Sequence, residues 1–125
     1  MLHVKPVVDD SCMEFLRAEG VEASFGDGVD VALYEEERLI GAAHVTFQPD
    51  TAVLEGVYVT PSRRGYGLGD FLTRATMDAY TRSLPIFRVA YVSDYFEKFG
   101  FKEKDGGMEI ASEAIKFPSH CGGHQ

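Results

Sequence analysis

Alternating apolar and polar residues predict several short strands along the chain. Val29, Val31 and Leu33 alternate with polar or small residues, which is the pattern of a strand with one buried face. The charged stretch 35–38 suits a solvent-facing turn, so the strands on either side of it form a predicted hairpin. The predicted strands cover residues 2–8, 29–34, 39–47, 52–59, 86–92, 101–104 and 108–117.

A second pattern, with apolar residues three or four positions apart, predicts helices. The clearest helix covers residues 68–82: its apolar stripe must pack on a sheet, and its polar residues are expected mostly on the other side. The stripe consists of Leu68, Phe71, Leu72, Ala75 and Ala79, and the polar residues are Asp70, Arg74, Asp78 and Arg82. A shorter helix is predicted after the capping residues 9–11, and another over 94–99, closed by Gly100.

The composition fits one small globular domain. The chain has 125 residues, of which 45% are hydrophobic and 26% charged, so it can bury one core but has no room for a second domain. We predict a single domain over 1–117 and a flexible tail over 118–125. No apolar run is long enough to span a membrane, and residues 1–10 do not resemble a signal peptide, which predicts a cytoplasmic protein without a membrane partner.

Charge and cysteine content narrow the class of partner. With 20 acidic and 12 basic side chains the formal net charge is −8, which argues against a nucleic-acid partner and mildly favours a cationic amine as substrate. The two cysteines, Cys12 and Cys121, are predicted to be reduced thiols. His120, Cys121 and His124 in the tail fall short of the four ligands of a structural zinc site, so no metal is predicted.

The segment that carries the chemistry is a glycine-rich connection between the strand 52–59 and the helix that begins near Leu68. Glycines at 65, 67 and 69 permit positive φ angles, so successive N–H groups can converge on an anion at the positive end of the helix dipole. The loop therefore predicts a pyrophosphate site. It does not match the Walker phosphate loop, the dinucleotide-binding fingerprint or the kinase glycine loop. The alternative is an ordinary strand-to-helix connection that happens to be rich in glycine.

Two motifs carry a resemblance to a known family. Arg64-x-x-Gly67-x-Gly69 directly follows a Val-x-Val-x-Pro strand end, and the segment Tyr95-Phe96-Glu97-Lys98-Phe99-Gly100-Phe101 follows the next predicted strand. Together they resemble the acetyl-CoA loop and the short helix of the GCN5-related N-acetyltransferase (GNAT) superfamily. The resemblance implies an α/β (α+β) fold with a mixed, mostly antiparallel central sheet flanked by helices, in which the fourth and fifth strands splay apart around a cofactor cleft. The region before residue 30 is shorter than usual for the family, which implies the loss of one substrate-binding helix.

The resemblance also assigns a co-substrate and its contacts. The pantetheine arm of acetyl-CoA would lie along the fourth strand, and its pyrophosphate would accept hydrogen bonds from the loop and the start of the helix. The side chain of Arg64 would add positive charge near the phosphates. The implied cofactor-binding residues are Val57, Tyr58 and Val59 on the strand and Arg64, Gly65, Tyr66, Gly67, Leu68, Gly69 and Asp70 in the loop and helix.

Two catalytic residues follow from the same resemblance. Glu55 lies on the fourth strand, where several family members carry a catalytic glutamate, and it would remove a proton from an amine; a solvent-facing strand glutamate is the alternative. Many relatives protonate the departing thiolate with the tyrosine that opens the second motif, but Phe96 stands there in this chain. We predict the adjacent Tyr95 as the substitute, with Tyr91 and Ser93 as alternatives, although adjacent helical positions point about 100° apart.

The predicted function is acetyl-CoA-dependent transfer of an acetyl group to the primary amine of a small molecule, such as an amino acid, by direct transfer in a ternary complex. Two alternatives stay open. One is a non-catalytic acyl-CoA-binding sensor, favoured by Phe96 and the short amino-terminal region, and the other is an acetyltransferase of protein amino groups. The sequence leaves undecided the acceptor, the acyl chain length and a homodimer built through exposed edge strands.

Overall fold

One seven-stranded sheet organises the chain, which a computed structural model describes over residues 1–21 and 27–117. The strands are β1 (Leu2–Val7), β2 (Val29–Glu35), β3 (Arg38–Gln48), β4 (Thr51–Val59), β5 (Ile86–Val89), β6 (Lys102–Lys104) and β7 (Gly107–Ala111). Within the same residues the α-helices are α1 (Ser11–Ala18) and α2 (Leu68–Thr81), and short 3-10 helices cover Pro61–Arg63, Asp94–Phe99 and Ser112–Ala114.

The sheet is mixed but mostly antiparallel. The strands lie in the order β1-β2-β3-β4-β5-β7-β6, and every neighbouring pair is antiparallel except β4 and β5. The β4–β5 pair is parallel because α2 forms the crossover between the two strands, and a tight turn could not make such a connection. This architecture confirms the fold class predicted from the sequence.

The two α-helices cover opposite faces of the sheet. α2 buries Leu72 in the main core together with Leu54 and Phe87. α1 buries Cys12, a free thiol, with Ala32 on the other face. Because side chains alternate between the two faces along a strand, each strand contributes to both layers. We call the two sides of the sheet the α2 face and the α1 face.

β4 and β5 separate halfway along β4. Their pairing ends with Leu54 opposite Val89, and the last hydrogen bond runs from the Ala90 N–H to the Leu54 carbonyl oxygen (N···O 3.0 Å). At the same point β4 bulges, because Leu54 and Gly56 lie opposite consecutive residues of β3 and Glu55 between them has no partner. A bulge bends a strand and increases its twist. The opening beyond this point, which we call the fork, is the predicted splay of the fourth and fifth strands.

Two strands are shorter than the sequence predicts. β5 ends at Val89 instead of residue 92, because beyond the fork it has lost β4 as a neighbour. The last strand ends at Ala111 instead of residue 117, and the 3-10 helix Ser112–Ala114 follows. There the Ser112 hydroxyl donates a hydrogen bond to the Leu84 carbonyl oxygen (O···O 2.5 Å), which turns the chain out of the ladder.

None of the helices in residues 1–21 and 27–117 combines the length and the apolar character that a bilayer crossing requires. The predicted tail, 118–125, lies outside the described residues together with Cys121. The flexible character predicted for the tail and the division into one domain and a tail stay predictions.

The main core predicts a large cost for truncating Leu72, which is fully buried on α2. Leu72→Ala should lower the free energy of unfolding by about 2–5 kcal/mol, because it removes apolar contacts and leaves a cavity. Urea unfolding followed by circular dichroism measures this loss. Phe71→Ala is the control on the same helix, since Phe71 is 40% exposed, and its effect should be clearly smaller. Equal losses would contradict the packing described.

Candidate active site

The glycine-rich loop turns the chain from β4 into α2 with two left-handed residues. Gly65 has a φ angle of +90° and Gly67 one of +77°, a region in which side chains other than glycine are strained. Gly69 lies inside the helix with an ordinary negative φ, so the expectation of three left-handed glycines holds for two. A Cβ atom built on any of the three would meet no atom within 4 Å. The space beside the loop is therefore open.

Backbone donors surround this open space. The first turn of α2 leaves the N–H groups of Leu68, Gly69 and Asp70 without intrahelical acceptors, since the first helical bond runs from Phe71 N–H to the Gly67 carbonyl (N···O 3.0 Å). The helix dipole adds a partial positive charge there. The sequence predicted a run of free N–H donors over residues 64–70. Residue 64 does not belong to it, because its N–H donates to the Pro61 carbonyl oxygen (N···O 3.2 Å).

The two arginines of the loop are held by neighbouring groups. Arg64 folds back onto β4, where its Nε donates to the Val59 carbonyl oxygen (2.8 Å) and its guanidinium lies 5.1 Å from the centre of the Tyr58 ring. Arg63 forms an ion pair with Glu35 and lies over the ring of Tyr66, which is largely exposed. The prediction that Arg64 adds charge near a phosphate stays untested, although Arg64 does line the open space.

A continuous cleft runs from the loop to the fork on the α2 face. A cavity of about 350 Å³ lies against the glycine loop, and a second of about 290 Å³ lies at the fork. Val57 and Gly69 line both cavities, so the two spaces adjoin. The wall of the fork cavity carries Asp70, Tyr91, Ser93, Tyr95 and Phe96. This elongated shape suits a long ligand with an anionic group at the loop end.

Beyond the fork, β4 presents a free backbone edge to this cleft. Thr60 N–H donates to the Ile40 carbonyl oxygen of β3 (2.8 Å), and backbone groups alternate between the two sides of a strand. The N–H and C=O groups of Val57 and Val59 therefore point away from β3 and into the opening. The bond from Arg64 Nε to the Val59 carbonyl agrees with this direction. The main chain of Val57 is thus placed to pair with an extended ligand.

Asp70 is the centre of a partly buried polar cluster at the cleft wall. Its carboxylate accepts hydrogen bonds from the Tyr95 hydroxyl and from Arg74 Nε (N···O 2.9 Å), and Lys98 Nζ lies 3.6 Å away. Burial alone would raise the pKa of Asp70, but the Tyr95 hydrogen bond and the two cations together lower it. Burial and the same hydrogen bond raise the pKa of Tyr95.

The sequence analysis missed this inward role. It placed Asp70 and Arg74 on the polar side of α2, whereas only 18% and 17% of their side chains are exposed. Helical periodicity fails here because the first turns of α2 face a cleft rather than bulk solvent. Their i,i+4 spacing, with the acid nearer the helix N-terminus, was the signal that could have identified the pair.

Glu55 lies on the opposite side of the sheet from this cluster. Its side chain is half-buried on the α1 face, where Thr46 Oγ1 donates a hydrogen bond to Glu55 Oε2 (2.7 Å). Because Tyr95 lines the cleft on the α2 face, the structure does not bring the two predicted catalytic residues into contact. They flank the fork from its two faces.

A small cavity adjoins β4 on the α1 face. Its volume is about 190 Å³, and its walls include Leu16, Gly56, Val57 and Tyr58, with Asp30 as its charged group among the described residues. Val57 also lines the cleft on the other face, so it forms a thin wall between the two spaces.

Hydrogen bonds hold the walls of this cavity. Asp30 pairs with Nδ1 of the buried His44 (2.6 Å). The Tyr58 and Thr60 hydroxyls both donate to Glu19 at the end of α1 (3.0 and 2.8 Å). The backbone of Tyr58 pairs with β3, so its predicted backbone contact with a cofactor does not follow from its position. The sequence analysis did not identify Asp30 or Glu19 as site residues, because their meeting depends on how α1 docks.

Metal ligation finds no support within residues 1–21 and 27–117, where no three His, Cys, Asp or Glu side chains cluster. The tail residues His120, Cys121 and His124 lie outside the described residues.

Comparison with known proteins places this geometry in a family context. The acetyltransferase (GNAT) domain family matches residues 27–103. In three dimensions the chain is similar to YhhK from Escherichia coli bound to coenzyme A (TM-score 0.65, 19% identity, 89% of this chain and 98% of that chain). It is also similar to a GNAT family acetyltransferase from Brucella melitensis in complex with acetyl-CoA (TM-score 0.64, 16% identity, 89% of this chain and 88% of that chain). A third similar structure is the ribosomal-protein-S18-alanine N-acetyltransferase from Escherichia coli (TM-score 0.73, 16% identity, 96% of this chain and 97% of that chain).

The structural likenesses show a common fold and leave the partner open. Other structures of similar fold are a complex with DNA and a toxin bound to the C-terminus of its antitoxin. Among curated proteins, none matches the chain in sequence. The kind of molecule that this chain acts on must therefore be argued from its own residues.

The loop geometry predicts opposite effects for two neighbouring glycines. Gly67→Ala should lower the free energy of unfolding by about 1–2 kcal/mol, because its backbone is left-handed. Gly69→Ala should raise it by up to about 1 kcal/mol, because Gly69 is helical and alanine is the better helix former. Urea unfolding of the two variants measures both changes. Changes of the same sign would contradict the loop described.

The Asp70 cluster predicts an acid-dependent contribution to stability. Because the pKa of Asp70 is lowered in the folded protein, its carboxylate stabilises the fold above the unfolded-state pKa of about 3.9 and loses this effect as the pH falls through the lower folded-state value. Asp70→Asn should lower the free energy of unfolding by about 1–3 kcal/mol at neutral pH, and the difference from wild type should shrink below about pH 4.

Asp78→Asn is the matched control for this measurement. Asp78 pairs with Arg82 on the same helix at the same spacing, but their side chains are 59% and 75% exposed. Its effect should stay below about 0.5 kcal/mol at every pH. Urea unfolding between pH 3 and 7 compares the three proteins, and a wild-type-like pH profile for Asp70→Asn would refute the role of the cluster.

Proposed function

We propose that this chain, which belongs to the GNAT acetyltransferase family, transfers the acetyl group of acetyl-CoA to the primary amine of a small molecule by direct transfer in a ternary complex. The observation that carries the proposal is the fork. There β4 and β5 separate between a cleft that ends at a helix N-terminus and a glutamate on the opposite face. A thioester held in the fork would be open to an amine from the α1 face.

Acetyl-CoA fits the cleft on the α2 face. The N–H groups from Gly65 to Asp70 would hold the pyrophosphate, with Tyr66 at the exposed edge of the loop, and the glycines leave room for its close approach. The main chain of Val57 and Val59 would pair with the amide groups of the pantetheine arm, as one strand pairs with another. Two structures of similar fold hold coenzyme A or acetyl-CoA, which supports this assignment.

Glu55 is the proposed general base. An alkylamine has a pKa near ~10 in water, so an ammonium must lose a proton before its nitrogen can attack a carbonyl carbon. Glu55 lies at the bulge, on the face from which the amine would approach, and Thr46 fixes its carboxylate. The departing sulfur would gain from a proton donor on the other face, where Tyr91, Ser93 and Tyr95 bring hydroxyl groups to the cleft.

The cavity on the α1 face favours a small cationic acceptor. It is lined mainly by apolar groups, and its charged group among the described residues is the Asp30 carboxylate. Asp30 would attract an ammonium group and would repel a carboxylate, so an amine without a carboxylate fits better than the free amino acid offered as an example from the sequence. The net charge of −8 acts in the same direction. As for location, we propose, as the sequence predicts, that the reaction takes place in the cytoplasm.

One observation favours a non-catalytic alternative. Phe96, at the position where many relatives carry the proton-donating tyrosine, is only 2% exposed and belongs to the core. A protein that binds acyl-CoA as a sensor would need no donor at this position. The two functions differ in whether bound acetyl-CoA is consumed.

Glu55→Gln tests the proposal. The variant should bind acetyl-CoA as the wild type does in isothermal titration, because Glu55 does not line the cleft on the α2 face. Its kcat for acetylation of a small amine should fall by about 10²- to 10⁴-fold, since glutamine cannot accept the proton. Release of free CoA thiol measures the rate across a panel of small amines and of peptides with free amino termini.

Glu103→Gln on β6 is the matched control, because Glu103 is exposed and far along the sheet from the fork, and its turnover should equal that of the wild type. If Glu55→Gln acetylates amines as fast as the wild type does, Glu55 is not the base. Binding of acetyl-CoA without turnover on any acceptor would favour the sensor, and turnover on peptides alone would favour a protein acceptor.

A further inference from the structure

Two ionisable side chains border the fork, one on β4 and one just after the end of β5. Glu55 is the first residue of β4 beyond the pairing with β5, and Tyr91 follows Ala90, whose N–H makes the last hydrogen bond to β4. Leu54 and Val89 are both buried in the core on the α2 face. Glu55 contacts Thr46 on the α1 face, whereas Tyr91 lines the fork cavity on the α2 face. The two groups therefore stand on opposite sides of the opening.

Four hydroxyl-bearing side chains line the fork cavity, and they differ in what their hydroxyl groups contact. The Thr73 hydroxyl donates a hydrogen bond to a backbone carbonyl oxygen one turn earlier in α2 (O···O 2.7 Å). The Tyr95 hydroxyl donates a hydrogen bond to the Asp70 carboxylate. Ser93 caps the 3-10 helix Asp94–Phe99, and its oxygen accepts a hydrogen bond from the Tyr95 N–H (3.3 Å). The hydroxyl of Tyr91 makes no hydrogen bond within residues 1–21 and 27–117, and 38% of the residue is exposed.

We propose that Tyr91 is the catalytic acid that protonates the departing sulfur, and that Tyr95 is a positioning residue. This assignment rests on the acetyltransferase function proposed above. Glu55 first takes the extra proton of the ammonium and releases it to solvent. The lone pair of the neutral amine then forms the new C–N bond, the C–S bond of the thioester breaks, and its electron pair goes to sulfur. Sulfur takes the hydroxyl proton of Tyr91, and Glu55 takes the proton that the amine nitrogen loses. Solvent then carries one proton from Glu55 to the Tyr91 oxygen, so that the amide, the CoA thiol and the original enzyme remain.

The surroundings of Tyr91 suit this role. Its ring meets Phe96 edge-on, with ring centres 5.9 Å apart, so the side chain has a packed support. The ordinary pKa of a tyrosine, about 10, keeps the hydroxyl protonated at neutral pH, and burial raises the pKa of Tyr91 further, so its proton leaves only as negative charge develops on sulfur. Its partial exposure gives solvent access for restoring the proton. Phe96, which replaces the tyrosine of many relatives, thus supports the ring of the residue that takes over the task.

Tyr95 has a different position in the same cavity. Its hydroxyl proton is shared with a carboxylate that also contacts Arg74 and Lys98, so its transfer to sulfur would leave two adjacent anions, the tyrosinate and Asp70. The hydrogen bond instead ties the 3-10 helix to the start of α2. Tyr95 therefore holds two walls of the cleft together, the 3-10 helix and the start of α2, and keeps its proton.

Tyr91→Phe and Tyr95→Phe separate the two roles. Each removes one hydroxyl and keeps the ring, and thermal unfolding checks that both variants fold. Tyr91→Phe should lower kcat by about 10- to 100-fold, at the low end of general-acid effects because a thiol of pKa about 8.5 also leaves as the anion. Tyr95→Phe should weaken acetyl-CoA binding and lower the unfolding temperature, because it removes the link to Asp70.

The second readout is the pKa of the thiol of bound CoA, followed by thiolate absorbance during a pH titration of the complex. A hydroxyl donor stabilises the thiolate, so this pKa should lie below about 8.5 in the wild type and in Tyr95→Phe. It should return towards the free value in Tyr91→Phe, a change that a merely structural role would not produce. CoA without its sulfur, desulfo-CoA, controls for absorbance from the protein.

Each outcome decides the assignment. A lowered kcat and a raised thiol pKa in Tyr91→Phe alone would support Tyr91 as the acid. If Tyr91→Phe keeps the wild-type kcat and the wild-type thiol pKa, the assignment of Tyr91 as the acid is overturned. This holds whether or not Tyr95→Phe changes these two quantities. Wild-type protein that binds CoA but acetylates no acceptor would defeat the acetyltransferase proposal separately, and the thiol titration would still show whether Tyr91 meets the sulfur.

Discussion

The shift of register in β4 at Glu55 is the constraint on which the rest of the site depends. Before the bulge, the Leu54 carbonyl accepts a hydrogen bond from Ala90, just past the end of β5, so even-numbered residues of β4 direct their backbone N–H and C=O groups to the β5 side. After the bulge, Thr60 pairs with β3, and Val57 and Val59 direct theirs to the β5 side instead. One inserted residue thus bends the strand, ends the pairing with β5 and keeps an edge of main chain aimed into the opening.

An open edge inside a protein has an energetic consequence. Buried N–H and C=O groups need partners, and beyond the fork the edge of β4 obtains few of them from the protein itself. The Val59 carbonyl is satisfied by Arg64, whereas the half-buried Val57 is left for water or a ligand. The fold therefore carries a slot for one extra strand-like ligand. The same separation of strands lets a group in the slot be reached from both faces, which a closed sheet would forbid.

Local patterns were sufficient for the parts of the structure that local chemistry determines. Alternation and helical spacing predicted α2 and the strands β1 to β4 to within a few residues, whereas the last strand ends six residues before its predicted end. The Gly67 turn followed from a glycine placed before a helix. They failed where a neighbour is missing: β5 stops early because β4 has diverged, and Asp70 turns inward because the first turn of α2 faces a cleft. The α1-side cavity could not be predicted, since Asp30 and the end of α1 meet only through docking.

The distribution of charge explains how an acidic protein can hold an anionic co-substrate. The arginines of the loop are committed to other groups, Arg63 to Glu35 and Arg64 to the end of β4. The proposed anion site would therefore depend on backbone N–H groups and the helix dipole rather than on free cations. Such donors add no net charge, and the overall −8 is left to act elsewhere. On the α1 face, the small cavity is lined by Asp30, Glu19 contacts the hydroxyl of its wall residue Tyr58, and Glu55 lies on the same face of the sheet. In the proposed reaction, the sheet would thus separate the anionic co-substrate from a cationic acceptor, and the fork is where their reacting atoms would meet.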